Sequence, residues 1–321
     1  MRASSMAFHL NTCVERLLLP ALLAAWPLAA GAQQQQQPRT IVAITAGGGD
    51  YLRGAGGTLA RFIAEGFKVY AIQVGNDEKN SIGLGPAETR LANNEDAAKA
   101  AKALGVTEIV NLNSKSGELS QLSSNELRNQ MSALIRFFKP QKLFLPDPFI
   151  HYEPDWDQFW TARAAEETNY SNSGYFLPEL TRLGIQGHSV PETYYYSARR
   201  PYRPGEGGHN GARLEPVDIG KTFARKAEAC LQLRTANGAY AGHVRQRLES
   251  MNRPSPLLRV IDAASVDALA RAWLEELAAA IGAKHGFAQG EEFNYHGSPP
   301  GEKHPLPPWI VERAKPMPPK R

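Results

Sequence analysis

The sequence has 321 residues, two cysteines and a formal net charge of +4 at pH 7. This charge is modest and no cluster of basic residues is interleaved with aromatic ones, which excludes a nucleic-acid-binding stripe. A chain of this length can bury a large core without disulfides. Cys13 lies in the N-terminal segment and Cys230 far beyond it, so no intramolecular disulfide is expected once that segment is removed.

The first 32 residues have the pattern of a secretory signal peptide. Two arginines precede an apolar run over residues 17–30, and Ala-Gly-Ala at residues 30–32 is a small-residue cleavage site. The run is shorter than the roughly 20 residues of a membrane-spanning helix, and two prolines interrupt it. We therefore expect export to the periplasm or the extracellular space without stable membrane insertion, and a disordered linker over residues 33–39.

From residue 40 to about residue 196, strand patterns alternate with helix patterns. This order predicts an α/β fold, Rossmann-like, with a mostly parallel sheet and helices on both faces. We expect one domain over residues 40–297 with a helical C-terminal extension, then a Pro-rich tail over residues 298–321. The predicted strands are residues 40–45, 67–74, 108–112, 142–145 and 193–196, and the predicted helices include 87–104, 126–138 and 265–282.

A glycine-rich loop follows the first predicted strand and leads to a helix expected to begin near Gly56 or Gly57. In a parallel sheet, ligands bind where such loops leave the carboxyl ends of the strands. The loop lacks the spacing of the dinucleotide motif G-x-G-x-x-G and the Lys of the P-loop. We therefore expect no nucleotide cofactor, and a nucleotide-binding module is the weakest of the functions considered.

Residues 46–60 resemble the N-terminal motif of the PIG-L or LmbE-like de-N-acetylases, A-H-P-D-D-x-E-L-G-x-G-G-T-L-A. The resemblance implies a zinc amidase that removes N-acetyl groups from amino-sugar conjugates. When the motif is aligned with residues 46–60, Asp50 takes the position of a zinc ligand. Gly47 takes the position of the first ligand His, and Gly49 that of the Asp that serves as general base. The turn at residues 76–78 is similar to the family's T-D-G-E turn, and the segment around Lys226 is similar to its Lys-bearing helix.

The second motif of the family, H-P-D-H, matches residues 153–156, Glu-Pro-Asp-Trp, after the fourth predicted strand. The aspartate Asp155 is kept and both histidines are replaced. Asp50, His151 and Asp157 together form a set of one imidazole and two carboxylates that could hold a divalent metal. Zinc is the ion that the resemblance implies, while such a set also suits harder ions. Asp155 and His151 are the candidate acid/base pair.

Two functions follow from these observations. The first is an exported, metal-dependent hydrolase that removes N-acetyl groups from an amino-sugar or related conjugate, with an altered or lost zinc site. The second is a catalytically inactive glycan- or envelope-binding protein on the same scaffold. Both imply a small-molecule or glycan ligand, and the sequence leaves the oligomeric state open.

Overall fold

The structure, a computed structural model, describes residues 39–150, 155–170, 173, 175–206, 213–297 and 307–314, all within one unit of the chain. The strands in these ranges are β1 (Thr40–Thr45), β2 (Lys68–Gly75), β3 (Glu108–Ser114), β4 (Lys142–Pro146), β5 (Glu192–Tyr196), β6 (Arg213–Asp218) and β7 (Gly290–Gly297). The helices are α1 (Asp50–Ala64), α2 (Pro86–Leu104), α3 (Ser124–Phe138), α4 (Trp156–Glu166), α5 (Pro178–Arg182), α6 (Phe223–Leu231), α7 (Arg234–Ser250), α8 (Ala263–His285) and α9 (Pro308–Arg313).

The strands form one sheet in the order β3-β2-β1-β4-β5-β7-β6. The first five of these are parallel, whereas β7 runs antiparallel to both β5 and β6. Helices pack against the sheet through two main apolar clusters. The predicted mostly parallel α/β fold with C-terminal helices is therefore confirmed, while β6 and β7 were not predicted. None of the helices in the described ranges has the length and hydropathy needed to cross a bilayer.

Helix α1 begins at Asp50, so the predicted start near Gly56 or Gly57 is wrong. The glycines lie inside the helix because neighbouring side chains approach its backbone closely. A Cβ atom at Gly57 would lie 2.8 Å from Ile219 Cβ, and one at Gly54 would lie 2.5 Å from a ring carbon of Tyr196. These glycines therefore serve close packing rather than helix initiation.

Polar side chains near the starts of two helices do not cap them. Ser123 is the N-cap residue of α3, but its side chain makes no capping hydrogen bond. Asp218 does not cap α6, because its carboxylate accepts the N–H of Gly220, at 2.9 Å, and the N-cap residue of α6 is Thr222. Short polar side chains often bond to a nearby turn rather than to a helix end.

A buried ion pair fastens α1 to the antiparallel part of the sheet. Lys226 Nζ of α6 lies 2.7 Å from Glu291 Oε1 of β7, and the two side chains are only 2% and 1% exposed. The Glu291 carboxylate also accepts the backbone N–H groups of Gly57 and Thr58, at 2.9 and 2.8 Å. The charge of Glu291 is thus compensated by one cation and two amide donors, as a buried carboxylate requires.

Replacing Lys226 with Met is expected to lower the free energy of unfolding by about 3–5 kcal/mol, since it leaves the Glu291 charge buried without its cation. Denaturant unfolding of the mature chain measures this loss. The exposed pair between Arg61 and Glu65, at the end of α1, provides the control: Glu65→Gln should cost less than about 1 kcal/mol. Equal losses in both variants would contradict the role of the buried pair.

Candidate functional site

A cavity of about 760 Å³ opens at the carboxyl ends of the parallel strands. Its walls are the glycine loop at residues 46–49, the turn at residues 77–80, residues 116–117 and the start of α4. Side chains of α7 and α8 close the other side. Because the cavity lies where several strand-end loops converge, it is the candidate ligand site of the fold. We call it the strand-end cavity.

At two positions of the glycine loop, a side chain such as the family motif carries would require a neighbouring side chain to move. A Cβ atom at Gly47, the place of the first ligand His, would lie 2.7 Å from Asp77 Oδ1. A Cβ atom at Gly49, the place of the general base, would lie 2.6 Å from Leu233 Cδ1. Leu233 is buried and cannot move away freely. The space beside both glycines is therefore already occupied by other residues of the chain.

Asp77 lines the cavity and was not among the site residues predicted from the sequence. Its Oδ2 accepts the N–H of Gly48 at 2.8 Å and the side-chain amide of Gln73 at 3.3 Å. The only sequence signal for it was the turn at residues 76–78, which resembles a family turn. Its position against Gly48 depends on contacts across 29 residues, which periodicity cannot reveal.

The environment of Asp77 favours its neutral form. Burial raises the pKa of Asp77 to about 7, although part of the side chain borders the cavity. The Gly48 N–H opposes the rise, the negative charges of Asp50 and Asp155 add to it, and the positive charge of Arg53 reduces it. A carboxyl group with this pKa holds its proton for part of the time near neutral pH.

Asp50 is paired with a cation from its own helix. Arg53 Nη1 lies 3.5 Å from Asp50 Oδ1. Arg53 Nη2 donates to Asn237 Oδ1 at 3.0 Å, and the guanidinium carbon lies 5.3 Å from the centre of the Trp273 ring. Asp50 thus borders the cavity with its charge already balanced by Arg53.

Asp155 and Asp157 lie at the start of α4 and line the same cavity. Asp155 is the N-cap residue: its Oδ1 accepts the N–H of Gln158 at 3.2 Å, and its Oδ2 accepts from Arg199 Nη2 at 3.1 Å. Asp157 Oδ2 accepts the N–H of Gly117 at 2.5 Å. Burial raises the pKa of Asp157, and the hydrogen bond from Gly117 opposes that rise.

The structure therefore brings three of the four predicted site residues, Asp50, Asp155 and Asp157, to one cavity. The fourth, His151, lies outside the described residues, so the predicted metal set and acid/base pair stay predictions. Trp156, which stands where the family motif has its second His, is exposed at the cavity.

The described residues do not fit a zinc centre. A catalytic zinc takes three protein ligands and keeps one open position. Within the described ranges, no group of three His, Cys, Asp or Glu side chains could hold a metal ion. Gly47 and Trp156 stand at the two ligand His positions of the family motif, and Asp50 and Asp155 are engaged by arginines.

A mostly parallel α/β sheet with a polar cavity at its strand ends defines the class of fold. In the sequence, residues 27–162 match the family model described as PIG-L: GlcNAc-PI de-N-acetylase. The resemblance to the PIG-L family that the glycine-loop motif indicated is thereby confirmed. No curated protein matches the chain.

Solved structures show the same fold at low sequence identity. N,N'-diacetylchitobiose deacetylase from Pyrococcus horikoshii is 20% identical with a TM-score of 0.63, over 88% of this chain and 92% of that chain. A conserved protein from Thermus thermophilus is 19% identical with a TM-score of 0.56, over 84% and 97%. The zinc-inhibited form of teicoplanin deacetylase Orf2 is 13% identical with a TM-score of 0.50, over 82% and 100%.

The raised pKa of Asp77 predicts a pH-dependent stability. Between about pH 4 and pH 7 the unfolded chain loses the Asp77 proton while the folded chain keeps it, so stability should fall as pH rises through this window. The loss is at most about 4 kcal/mol for a shift of this size, and water in the cavity reduces it.

Unfolding of the wild type and of Asp77→Asn, measured between pH 4 and pH 8, tests this expectation. Asn imitates the neutral carboxyl, so the variant should gain stability relative to the wild type as pH rises, with little difference at pH 4. A stability difference between the two proteins that does not change with pH would contradict the raised pKa of Asp77.

Proposed function

We propose that this protein binds an N-acetylated amino-sugar conjugate in the strand-end cavity. The observation that carries the proposal is the combination of charged hydrogen-bonding groups with aromatic side chains in one cavity of about 760 Å³. Trp156 is 59% exposed at one wall. On another wall, the rings of Tyr240 and Trp273 pack together with their centroids 5.5 Å apart.

These groups suit a sugar ligand. Aromatic faces pack against the apolar face of a ring, while charged and amide groups bond to its hydroxyl and acetamide groups. The matched family description names a GlcNAc conjugate, and the Pyrococcus horikoshii protein is named for an N-acetylated chitobiose. Both names support amino sugars as the ligand class for this chain.

The proposal includes an altered or lost zinc site. Asp50 and Asp155 are held by arginines, and glycines replace two groups of the family's metal centre. A divalent ion at Asp50, His151 and Asp157 stays an untested part of the sequence-based prediction. Export by the N-terminal segment likewise stays a prediction, and it implies that the ligand is met in the cell envelope or outside the cell.

Hydrolysis of the N-acetyl amide is the second candidate, and the position of Asp77 favours it. A general base is most effective when its pKa lies near the working pH, and the pKa of Asp77 is raised to about 7 inside the cavity. As a carboxylate, Asp77 would accept a proton from a water molecule that attacks the acetamide carbonyl. Cleavage of the C–N bond would then give acetate and the free amine.

Calorimetric titration of the mature chain with N,N'-diacetylchitobiose, and with the same disaccharide lacking acetyl groups, tests the binding proposal. Only the acetylated sugar should bind, with and without a metal chelator. Trp156→Ala should weaken binding about fivefold, because a stacked ring contributes on the order of 1 kcal/mol. Trp309→Ala is the matched control, since Trp309 is 58% exposed but does not line the cavity.

Absence of binding by any N-acetylated amino sugar would contradict the proposal. If Trp156→Ala and Trp309→Ala bind the disaccharide with equal affinity, the proposed contact between Trp156 and the sugar is wrong.

Acetate release from the same disaccharide tests the hydrolytic candidate. The wild type should release acetate at a rate that rises with pH through about 7, as the Asp77 carboxyl loses its proton. Asp77→Asn should lose at least about 100-fold in rate, the lower range for a general base. Binding without acetate release would leave the protein as a binder only.

A further inference from the structure

Arg53 occupies a place in the strand-end cavity that bulk solvent hardly reaches. Its side chain is 15% exposed, and that of its partner Asp50 is 13% exposed. Both come from the first turns of α1, directly after the glycine loop. An ion pair this sheltered interacts more strongly than one on the surface, because little water screens it.

Three separate helices hold the guanidinium in place. Asp50 of α1 lies 3.5 Å from Nη1, Asn237 of α7 accepts from Nη2 at 3.0 Å, and the ring of Trp273 of α8 lies 5.3 Å from the guanidinium carbon. Asn237 in turn donates its amide to the carbonyl of Cys230 at 2.9 Å, which fixes its orientation. Arg53 is therefore positioned by the fold rather than by chance contacts of a mobile side chain.

Gly49 lies directly beside the guanidinium. A Cβ atom at Gly49 would lie 3.5 Å from Arg53 Cζ and Nη1, in ordinary van der Waals contact. In the family motif A-H-P-D-D-x-E-L-G, the place of Arg53 is a leucine. The loop that lacks the motif's first His and its base thus carries a cation that the motif lacks.

Arg53 places a positive charge among the carboxylates that line the cavity. Asp50 and Asp155 both act on Asp77 through repulsion, and Arg53 acts on it through attraction. In a metal centre, a divalent ion would balance such carboxylates. Arg53 does so permanently, because an arginine does not lose its proton in a protein.

We propose that Arg53 is a fixed cation beside Asp50 in the strand-end cavity, in the place of a divalent metal, and that it binds an oxygen of the sugar ligand. The guanidinium has five N–H donors, and the contacts with Asp50 and Asn237 engage one nitrogen each. The remaining donors serve an acetamide or hydroxyl oxygen. Ligand binding is therefore independent of metal, and this inference rests on the proposed function.

Calorimetric titration with N,N'-diacetylchitobiose, in chelator and then with added ZnCl₂, tests the proposal. The wild type should bind equally under both conditions. Arg53→Ala should lose at least tenfold in affinity, and methylguanidinium ions should restore part of it by filling the vacated space. Rescue of this kind is not expected if Arg53 only supports the structure.

Arg61→Ala is the matched control, because Arg61 also belongs to α1 and forms an ion pair, with Glu65, but is exposed and does not line the cavity. It should bind the disaccharide as the wild type does. Thermal unfolding shows whether Arg53→Ala is folded. If it is not, Arg53→Met, which keeps the aliphatic packing on Trp273 and removes the charge, takes its place and should show the same loss.

The outcomes separate the two proposals. If the wild type does not bind the disaccharide, the proposed function fails and this inference fails with it. If the wild type binds only with zinc, or if the folded Arg53 variants bind as tightly as the wild type, the function stands and the assignment of Arg53 is overturned.

Discussion

The hydrogen bond between the Gly48 N–H and the Asp77 carboxylate is the contact on which the rest of the site depends. It places a side chain of the turn after β2 in the space where a residue at position 47 would project. A side chain at position 47 would therefore require Asp77 to move, and one at position 49 would require Leu233 to move. The motif's first ligand His and its general base are absent, and arginines pair with Asp50 and Asp155. These departures from the family motif thus form one coupled set, in which a single reversion would collide with its neighbours.

The scaffold beneath this site is closely packed. The Lys226–Glu291 pair draws α6, β7 and the middle of α1 together, and glycines at positions 54 and 57 allow neighbouring side chains to approach α1. Since α1 starts at Asp50, the same helix that is fixed to the sheet presents Asp50 and Arg53 to the cavity. The fold therefore holds Asp50 and Arg53 in place although both histidines of the motif's ligand positions differ in this sequence.

The parallel half of the sheet could be predicted because each of its strands is an apolar, β-branched or aromatic run bounded by turn residues. Strand β7 could not, since buried Glu291, Glu292 and Asn294 give it a polar sequence. Those charges are compensated by partners outside the strand such as Lys226 and Lys284, at 2.7 and 2.8 Å. The start of α1 was mispredicted for a related reason, because its glycines reflect contacts with Ile219 and Tyr196 rather than local turn geometry.

The sequence predicted some residues of the cavity and not others. Family motifs led to Asp50 and Asp155, and the carboxylates next to the second motif added Asp157; the structure brings all three to one cavity. Asp77 and the role of Arg53 depend on how the glycine loop meets the turn after β2 and the helices α7 and α8, and these contacts span 29 and 184 residues of sequence. No local pattern encodes such distances.

We infer that protein groups, and not a zinc ion, balance the carboxylates around Asp50. X-ray diffraction from crystals grown with ZnCl₂, recorded on both sides of the zinc absorption edge, would locate any bound zinc. We expect no anomalous peak within bonding distance of Asp50, with the Asp77 carboxylate against Gly48 and Arg53 beside Gly49. A zinc peak coordinated by Asp50 together with His151 or Asp157 would contradict it.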